Sequence, residues 1–458
     1  MTSASDNSEP GSDASTQASY TCPGELYSIP RSIHLARLAA FYPNCRECQH
    51  RFDTGHVLPR AIEPSHETSV RAVRTTLLTD ESVRGVYLNE LNRNRALAWG
   101  EAIAAVLWDQ QPMMARQAPV ETAQIVPDRS LDSRVVSNVP NVVVGFDERP
   151  SSPDIVSGLV LGLRRMGCPV IDLAQTSLPI VAFQVHALSA TAGVFVTGAG
   201  CDPSWTGFEL FSRGAVPFSR EQLEQMEQAV KSGVGRQTRQ IGGHQPFRGN
   251  PQYEGSLESY FHALRPLKIV CGSSTRLLPR ILDTLFEKLP CELTHVSLAT
   301  RRRDLFDVRD VDLQRVAAAV LEGRHHLGVV VDEDNRHAAF ITDRGRLVSP
   351  REVARLLIEI VQRENTRATF TSATSWLPDI RTWLHGRDAT ASDGGESTYS
   401  LAHSLAKSNA DLALSGDGRV WFGRTYPACD AILLLAHVLQ ALSLSDAPFS
   451  DVVSRLDN

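Results

Sequence analysis

Three stretches of this 458-residue chain carry side chains that could do chemistry. Cys45 and Cys48 form a C-x-x-C pair with His50 close behind and Cys22 upstream, the sulfur and nitrogen donors that zinc prefers. A single C-x-x-C is half of a zinc-ribbon signature. The other reading is a set of reduced cysteines on an arm whose Ile33, Leu35, Leu38 and Phe41 pack onto a neighbouring domain. Thr197-Gly-Ala-Gly-Cys-Asp-Pro follows an apolar run and resembles a phosphate-cradling turn. It has no third glycine, and Pro203 removes a backbone donor, which favours an active-site turn over a dinucleotide loop. Asp332-Glu333-Asp334-Asn335-Arg336 is a dense acidic run that, taken alone, reads as a solvated turn capped by Arg336.

The elements that must hold these stretches alternate short β-branched runs with helical periodicity, the pattern of α/β domains. A first strand is expected near Thr75, followed by a helix within 92–110 that places Ala96, Trp99, Gly100, Ile103 and Leu107 on one face. Residues 111–137 read as a long insertion. The run NVVVG at 141–145 is a buried strand, 153–166 a helix, 169–173 a second strand, 180–188 a helix, and GVFVT a third strand ending at Thr197. Residues 212–248 are polar and Gln/Gly-rich, and read as a boundary.

Composition narrows the partners. Lys+Arg 46 against Asp+Glu 52 gives a net charge of -6, which offers no electrostatic case for nucleic acid or a membrane surface. A metabolite or a protein is the expected partner. The first 18 residues lack the basic and apolar regions of a secretory signal. The longest apolar stretch, Ala431 to Leu444, falls short of the roughly 20 residues a membrane helix needs. A cytoplasmic location is therefore expected.

Several segments in order resemble the phosphohexomutases, the family of phosphoglucomutase and phosphomannomutase. They are TDESVRGVYLNEL from Thr79, GFDERPSSP from Gly145, GCPVIDL from Gly167, and GVFVTGAGCDPSWTGFELF from Gly193. LGVVVDEDNRHAAFITDRGRLVSP from Leu327 and FGRTYPACDAILLLAHVLQAL from Phe422 follow. The resemblance implies three consecutive α/β domains of mutase type: domain I over 70–220, domain II with a metal loop over 250–348, and domain III over 349–458. A disordered tail (1–18) and a Cys/His segment (19–60) precede them, and a fourth domain is expected to be absent.

The resemblance also implies roles. Arg84 and Arg336 fall on substrate-binding positions. Asp332, Asp334 and Asn335 fall on the magnesium loop, where a neutral Asn in place of a third carboxylate implies a weak site. The phosphoserine of the family's T-A-S-H-N-P falls on Ala199, its histidine on Gly200, its asparagine on Cys201, and the acid/base lysine further on falls on Glu209. The family's sugar loop falls on 414–418, without its glutamate and serine. The expectation is a divergent phosphoglucomutase/phosphomannomutase-like protein of carbohydrate metabolism that is catalytically degenerate and serves in sugar-phosphate binding or scaffolding. The alternative is an active magnesium-dependent mutase, an intramolecular phosphotransferase with a non-standard nucleophile. A third reading places the function in the Cys/His arm.

Overall fold

A computed structural model of the chain describes residues 19–40, 42–51, 53, 76–110 and 139–456. The expected tail at 1–18 and the insertion at 111–137 lie outside the described residues. The chain divides into two compact units, Met1–Thr76 and Leu77–Asn458.

In the first unit, strands β1 (Ser19–Thr21) and β2 (Ser28–Pro30) pair antiparallel, and helix α1 (Arg31–Ala39) follows. Tyr20, Cys22 and Ile29 form its small core. The Tyr20 ring stacks on His34 with centroids 4.1 Å apart, and its hydroxyl donates to Asp53.

The second unit holds three sheets. Sheet one is built from β3 (Val83–Val86), α2 (Arg93–Asp109), β4 (Val142–Phe146), α3 (Ser152–Arg165), β5 (Val170–Gln175), α4 (Leu178–Ala187), β6 (Ala192–Val196), β7 (Trp205–Ser212), α5 (Arg220–Ser232) and β8 (His244–Pro246). Its strand order is β3-β7-β6-β4-β5-β8. The central strands are parallel and apolar on both faces, because helices cover both sides. Helix α2 starts where the Asn92 side chain accepts from the Arg95 amide, and it buries Ala96, Trp99, Ile103 and Leu107. It lies close against α3, where a Cβ on Gly162 would stand 2.2 Å from the Leu97 carbonyl.

Two details differ from expectation. The first strand of this unit begins at Val83, where Thr79 and Ser82 close a turn ahead of it; Thr75, near which it was expected, lies outside the described residues. The polar stretch 212–248 carries α5, which buries Leu223 and Met226, and β8, which pairs with β5. Its polarity is that of a helix with one buried stripe.

Helix α6 (Asn250–Glu258) leads into sheet two: β9 (Lys268–Ser273), α7 (Leu277–Phe286), β10 (Glu292–Ser297), α8 (Val311–Glu322), β11 (Leu327–Val331) and β12 (Ala338–Thr342), ordered β10-β9-β11-β12. After α9 (Pro350–Glu364), sheet three repeats that plan: β13 (Thr369–Ser372), α10 (Leu377–Trp383), β14 (Thr390–Asp393), α11 (Thr398–Ser408), β15 (Leu412–Leu414) and β16 (Val420–Phe422), ordered β14-β13-β15-β16. Both sheets end in an antiparallel hairpin. The Asp332 turn joins β11 to β12, and residues 415–419 join β15 to β16, so the two stretches occupy equivalent places. Helices α12 (Ala431–Ser443) and α13 (Phe449–Ser454) close the fold. Among the described residues no helix is long and apolar enough to cross a membrane.

Candidate functional site

The side chains singled out by sequence meet where β3 and β7 of sheet one face the two hairpin turns. In the β3/β7 register Arg84 lies opposite Gly207. A Cβ on Gly207 would come within 2.9 Å of the Arg84 side chain, so the missing side chain lets the arginine cross β7. Two residues along the same strand face, Glu209 receives it. The pair is buried, with Arg84 5% and Glu209 8% exposed. Arg336 approaches the same Glu209 oxygen at 3.5 Å and also grips Asp334 at 2.7 Å.

Arg149, in the loop after β4, is the hub of the neighbouring turn. Its Nε and Nη2 donate to the two Glu333 carboxylate oxygens at 2.5 and 2.6 Å. Its remaining N–H groups donate to the carbonyls of Cys201, Asp202 and Trp205 at 2.9 to 3.1 Å. A guanidinium has five N–H donors, and here all five are taken. The loop from Gly198 to Trp205 is thereby shaped around an arginine. Asp147 steadies it from below, accepting from Ser152 Oγ, the Arg149 amide and the Gly198 amide. Ala199 sits in that loop, and its amide donates to Thr197 Oγ1 at 2.9 Å. Thr197 is fully buried and holds its hydroxyl inside the turn.

The two hairpin turns meet at His337. Its Nδ1 lies 3.4 Å from Asp332 and its Nε2 3.8 Å from Asp417. Burial works against a charged imidazole, but the two carboxylates outweigh it and the His337 pKa is raised. Asp417 shows the converse: burial would raise it, yet His337 and Arg419 hold it well below the usual carboxylate range. Arg419 reaches back to Glu81 at 3.0 Å, and Glu81 also accepts from the Thr398 amide and hydroxyl. Burial opposes the Glu81 charge as well, and Arg419 with Thr398 keeps its pKa low.

Each charge of this corner therefore has an opposite charge within the chain. The space left beside Glu209, Arg336 and Glu81 is about 20 Å³, room for roughly one water. A metal ion does not fit the turn as it stands. Glu333 is engaged by Arg149, Asp334 by Arg336, and Asp332 by His337 and by the Arg336 and His337 amides. One oxygen remains, Asn335 Oδ1, buried without a partner on a residue held at φ +64°. Among the described residues no group of three His, Cys, Asp or Glu side chains is arranged to hold a metal ion, and this covers the zinc expected at Cys22, Cys45, Cys48 and His50 as well. Those cysteines are free and buried. The Cys22 sulfur accepts from Arg37 at 3.0 Å, while His50 meets the Gln49 amide and the edge of Tyr20.

The profile of the phosphoglucomutase/phosphomannomutase α/β/α domain I matches residues 129–236. The phosphomannomutase/phosphoglucomutase of Pseudomonas syringae pv. tomato is 26% identical over 337 residues, which covers 71% of this chain and 70% of that protein. That of Pseudomonas aeruginosa is 24% identical, covering 66% of each. The matching profile and these relatives all indicate the phosphohexomutase family. Its fold agrees with that of a phosphoglucomutase/phosphomannomutase family protein from Burkholderia thailandensis, at 20% identity and a TM-score of 0.72 over 84% of this chain and 81% of that one.

Against the phosphohexomutase pattern, Arg84, Arg336, Asp332, Asp334 and Ala199 all come together in one corner. Arg149, Glu81, Arg419 and His337 belong to it too and were not singled out from sequence. Arg149 lay inside the quoted GFDERPSSP motif, and a charged residue directly after a buried strand was the signal that could have found it. Glu81 and Arg419 are 338 positions apart, and nothing local announces their contact.

Proposed function

We propose that this chain is a phosphohexomutase-fold protein that binds sugar phosphate, or scaffolds a protein partner, without transferring phosphoryl groups. The observation that carries this reading is the pairing of Ala199 at the phosphoserine position with a corner whose cations are all neutralised in-chain. Phosphoryl transfer by the family's route needs an oxygen nucleophile, a divalent cation and cations free to clamp the transferred oxygens. Ala199 offers no hydroxyl, Glu209 stands where the resemblance places a lysine, and Arg84 and Arg336 are committed to Glu209. The magnesium that the family's reaction calls on would have to displace Arg149, Arg336 and His337 from their carboxylates.

The test is a coupled assay of the full chain with glucose 1-phosphate and mannose 1-phosphate, supplied with magnesium and the bisphosphate activator, together with intact-mass analysis. No conversion and no added phosphate are expected. Turnover by the natural protein, or a stable gain of one phosphate, overturns the reading in favour of a mutase with a non-standard nucleophile. Ala199→Ser alone is expected to stay inactive, because catalytic groups acting as a unit contribute non-additively.

A further inference from the structure

Away from that corner lies a cleft of about 470 Å³ lined by Glu148, Gln175, Arg276, Leu277 and Arg280. It sits at the carboxyl ends of parallel strands from two sheets: β4 runs out towards Glu148, β5 ends at Gln175, and β9 leads to Arg276. This is the side of an α/β sheet on which ligands bind. Two helices begin beside it, α4 just past Gln175 and α7 at Leu277, each bringing the partial positive charge of its first turn.

The polar groups of this cleft are used unevenly. Glu148 Oε1 accepts from the Arg276 and Leu277 amides at 2.8 and 2.9 Å, which spends that carboxylate on the start of α7. At the start of α4, Ser177 holds the capping position but makes no side-chain cap bond. Its hydroxyl and that of Thr176 are buried without a partner, the residues being only 4% and 3% exposed, and neither residue lines the cleft itself. A serine at this position ordinarily turns its oxygen to the helix amides. Arg276, the capping residue of α7, and Arg280, in its first turn, both line the cleft, and neither guanidinium has a hydrogen bond or ion pair among the described residues. Glu254 is the carboxylate that feels Arg280, without contact.

We propose that this cleft binds a phosphorylated small molecule, its phosphate held by the Arg276 and Arg280 guanidiniums beside the starts of α4 and α7. Two free guanidiniums and two helix starts outweigh one carboxylate already bonded to two amides. A volume of about 470 Å³ suits a hexose monophosphate, since small-molecule sites run from about 300 to 1,000 Å³. The inference rests on the binding reading above only for the choice of a hexose phosphate as the ligand.

Calorimetry on the full chain tests it, with inorganic phosphate, glucose 1-phosphate and unphosphorylated glucose as probes. Both phosphate compounds should bind and glucose should not. Arg276→Gln with Arg280→Gln should weaken phosphate binding at least tenfold, whereas Arg302→Gln with Arg367→Gln, which removes the same charge elsewhere, should leave it unchanged. Both arginine pairs are exposed, so neither double variant threatens the fold. Binding that survives the first double variant overturns the cleft and leaves the binding function standing. An equal loss in both variants overturns it too, as bulk electrostatics, and so does a wild-type chain that binds no phosphate compound. Turnover in the mutase assay would overturn the function reading alone if phosphate binding still depended on Arg276 and Arg280.

Discussion

The Glu209 corner and the Arg276 cleft both lie at strand ends of the second unit, and both are rich in arginine. They treat the charge in opposite ways. In the corner, Arg84, Arg149, Arg336 and Arg419 each hold a carboxylate of the chain, and the space left beside Glu209 is about 20 Å³. In the cleft, Arg276 and Arg280 hold none, and the space is about 470 Å³. A buried cation must be neutralised from within or by a ligand, while an exposed one can wait in water. The corner has taken the first course along its whole length. What a mutase would keep open for substrate is here part of the structure that holds three sheets together.

This contrast can be broken by substitutions whose effects should fall in order. The largest belongs to Glu209→Lys, which restores the residue type implied by the resemblance but sets a third cation between Arg84 and Arg336. We expect a loss of at least about 3–5 kcal/mol in urea unfolding, the cost of breaking a buried pair and leaving its partner uncompensated. Replacing Arg84 and Glu209 together by Met should recover much of it, since an apolar pair leaves no orphaned charge. If Glu209→Lys is as stable as the natural protein, the corner is looser than described and open to ligand.

Next comes Arg149→Lys. A lysine keeps the charge but cannot span Glu333 and three carbonyls at once, so a loss of about 2–3 kcal/mol is expected by the same measurement. A neutral result would mean that the Gly198–Trp205 loop does not depend on the guanidinium.

The His337 bridge gives a smaller, pH-dependent effect. Its pKa is raised on folding by Asp332 and Asp417, so the linked stability is fully present below about pH 6.5 and is lost as pH rises through the folded value. Asp417 runs the other way, its contribution present above about pH 4 and lost as pH falls. Melting temperatures should therefore decline from about pH 6.5 upward in the natural protein. His337→Gln should lower the acidic end of that profile and remove its slope, and an unchanged slope would place the titrating group elsewhere. Smallest of all, Arg276→Gln with Arg280→Gln should alter ligand-free stability by no more than about 0.5 kcal/mol, as expected of exposed residues without partners.

The fold was legible in sequence where one force acts alone. VVVG at 142–145 and LGVVV at 327–331 are too apolar to be anything but strands covered on both faces, and the helix from Arg93 shows its buried stripe at helical spacing. The start of β3 and the role of residues 212–248 were less legible, because turns made by Thr79 and Ser82, and a single stripe such as Leu223 and Met226, leave little trace in composition. The motifs named residues that the fold brings into one corner. They could not show that Arg84 answers Glu209 or that Arg419 answers Glu81, since such pairings depend on how distant strands are laid side by side. The shared strand order of sheets two and three was likewise invisible, as the two segments have no sequence repeat to betray it.

Glu148 and Arg149 are neighbours in one turn, yet each anchors a different part of sheet two: the first holds the start of α7, the second the turn after β11. The short segment between β4 and α3 is thus a two-pronged clasp, and rotating the first two sheets apart would release both prongs in the same event. Slow opening of that kind leaves its mark on hydrogen exchange. The amide protons of Arg276 and Leu277 should trade with solvent together, at the rate of the shared rotation, rather than one at a time as the end of an ordinary helix frays.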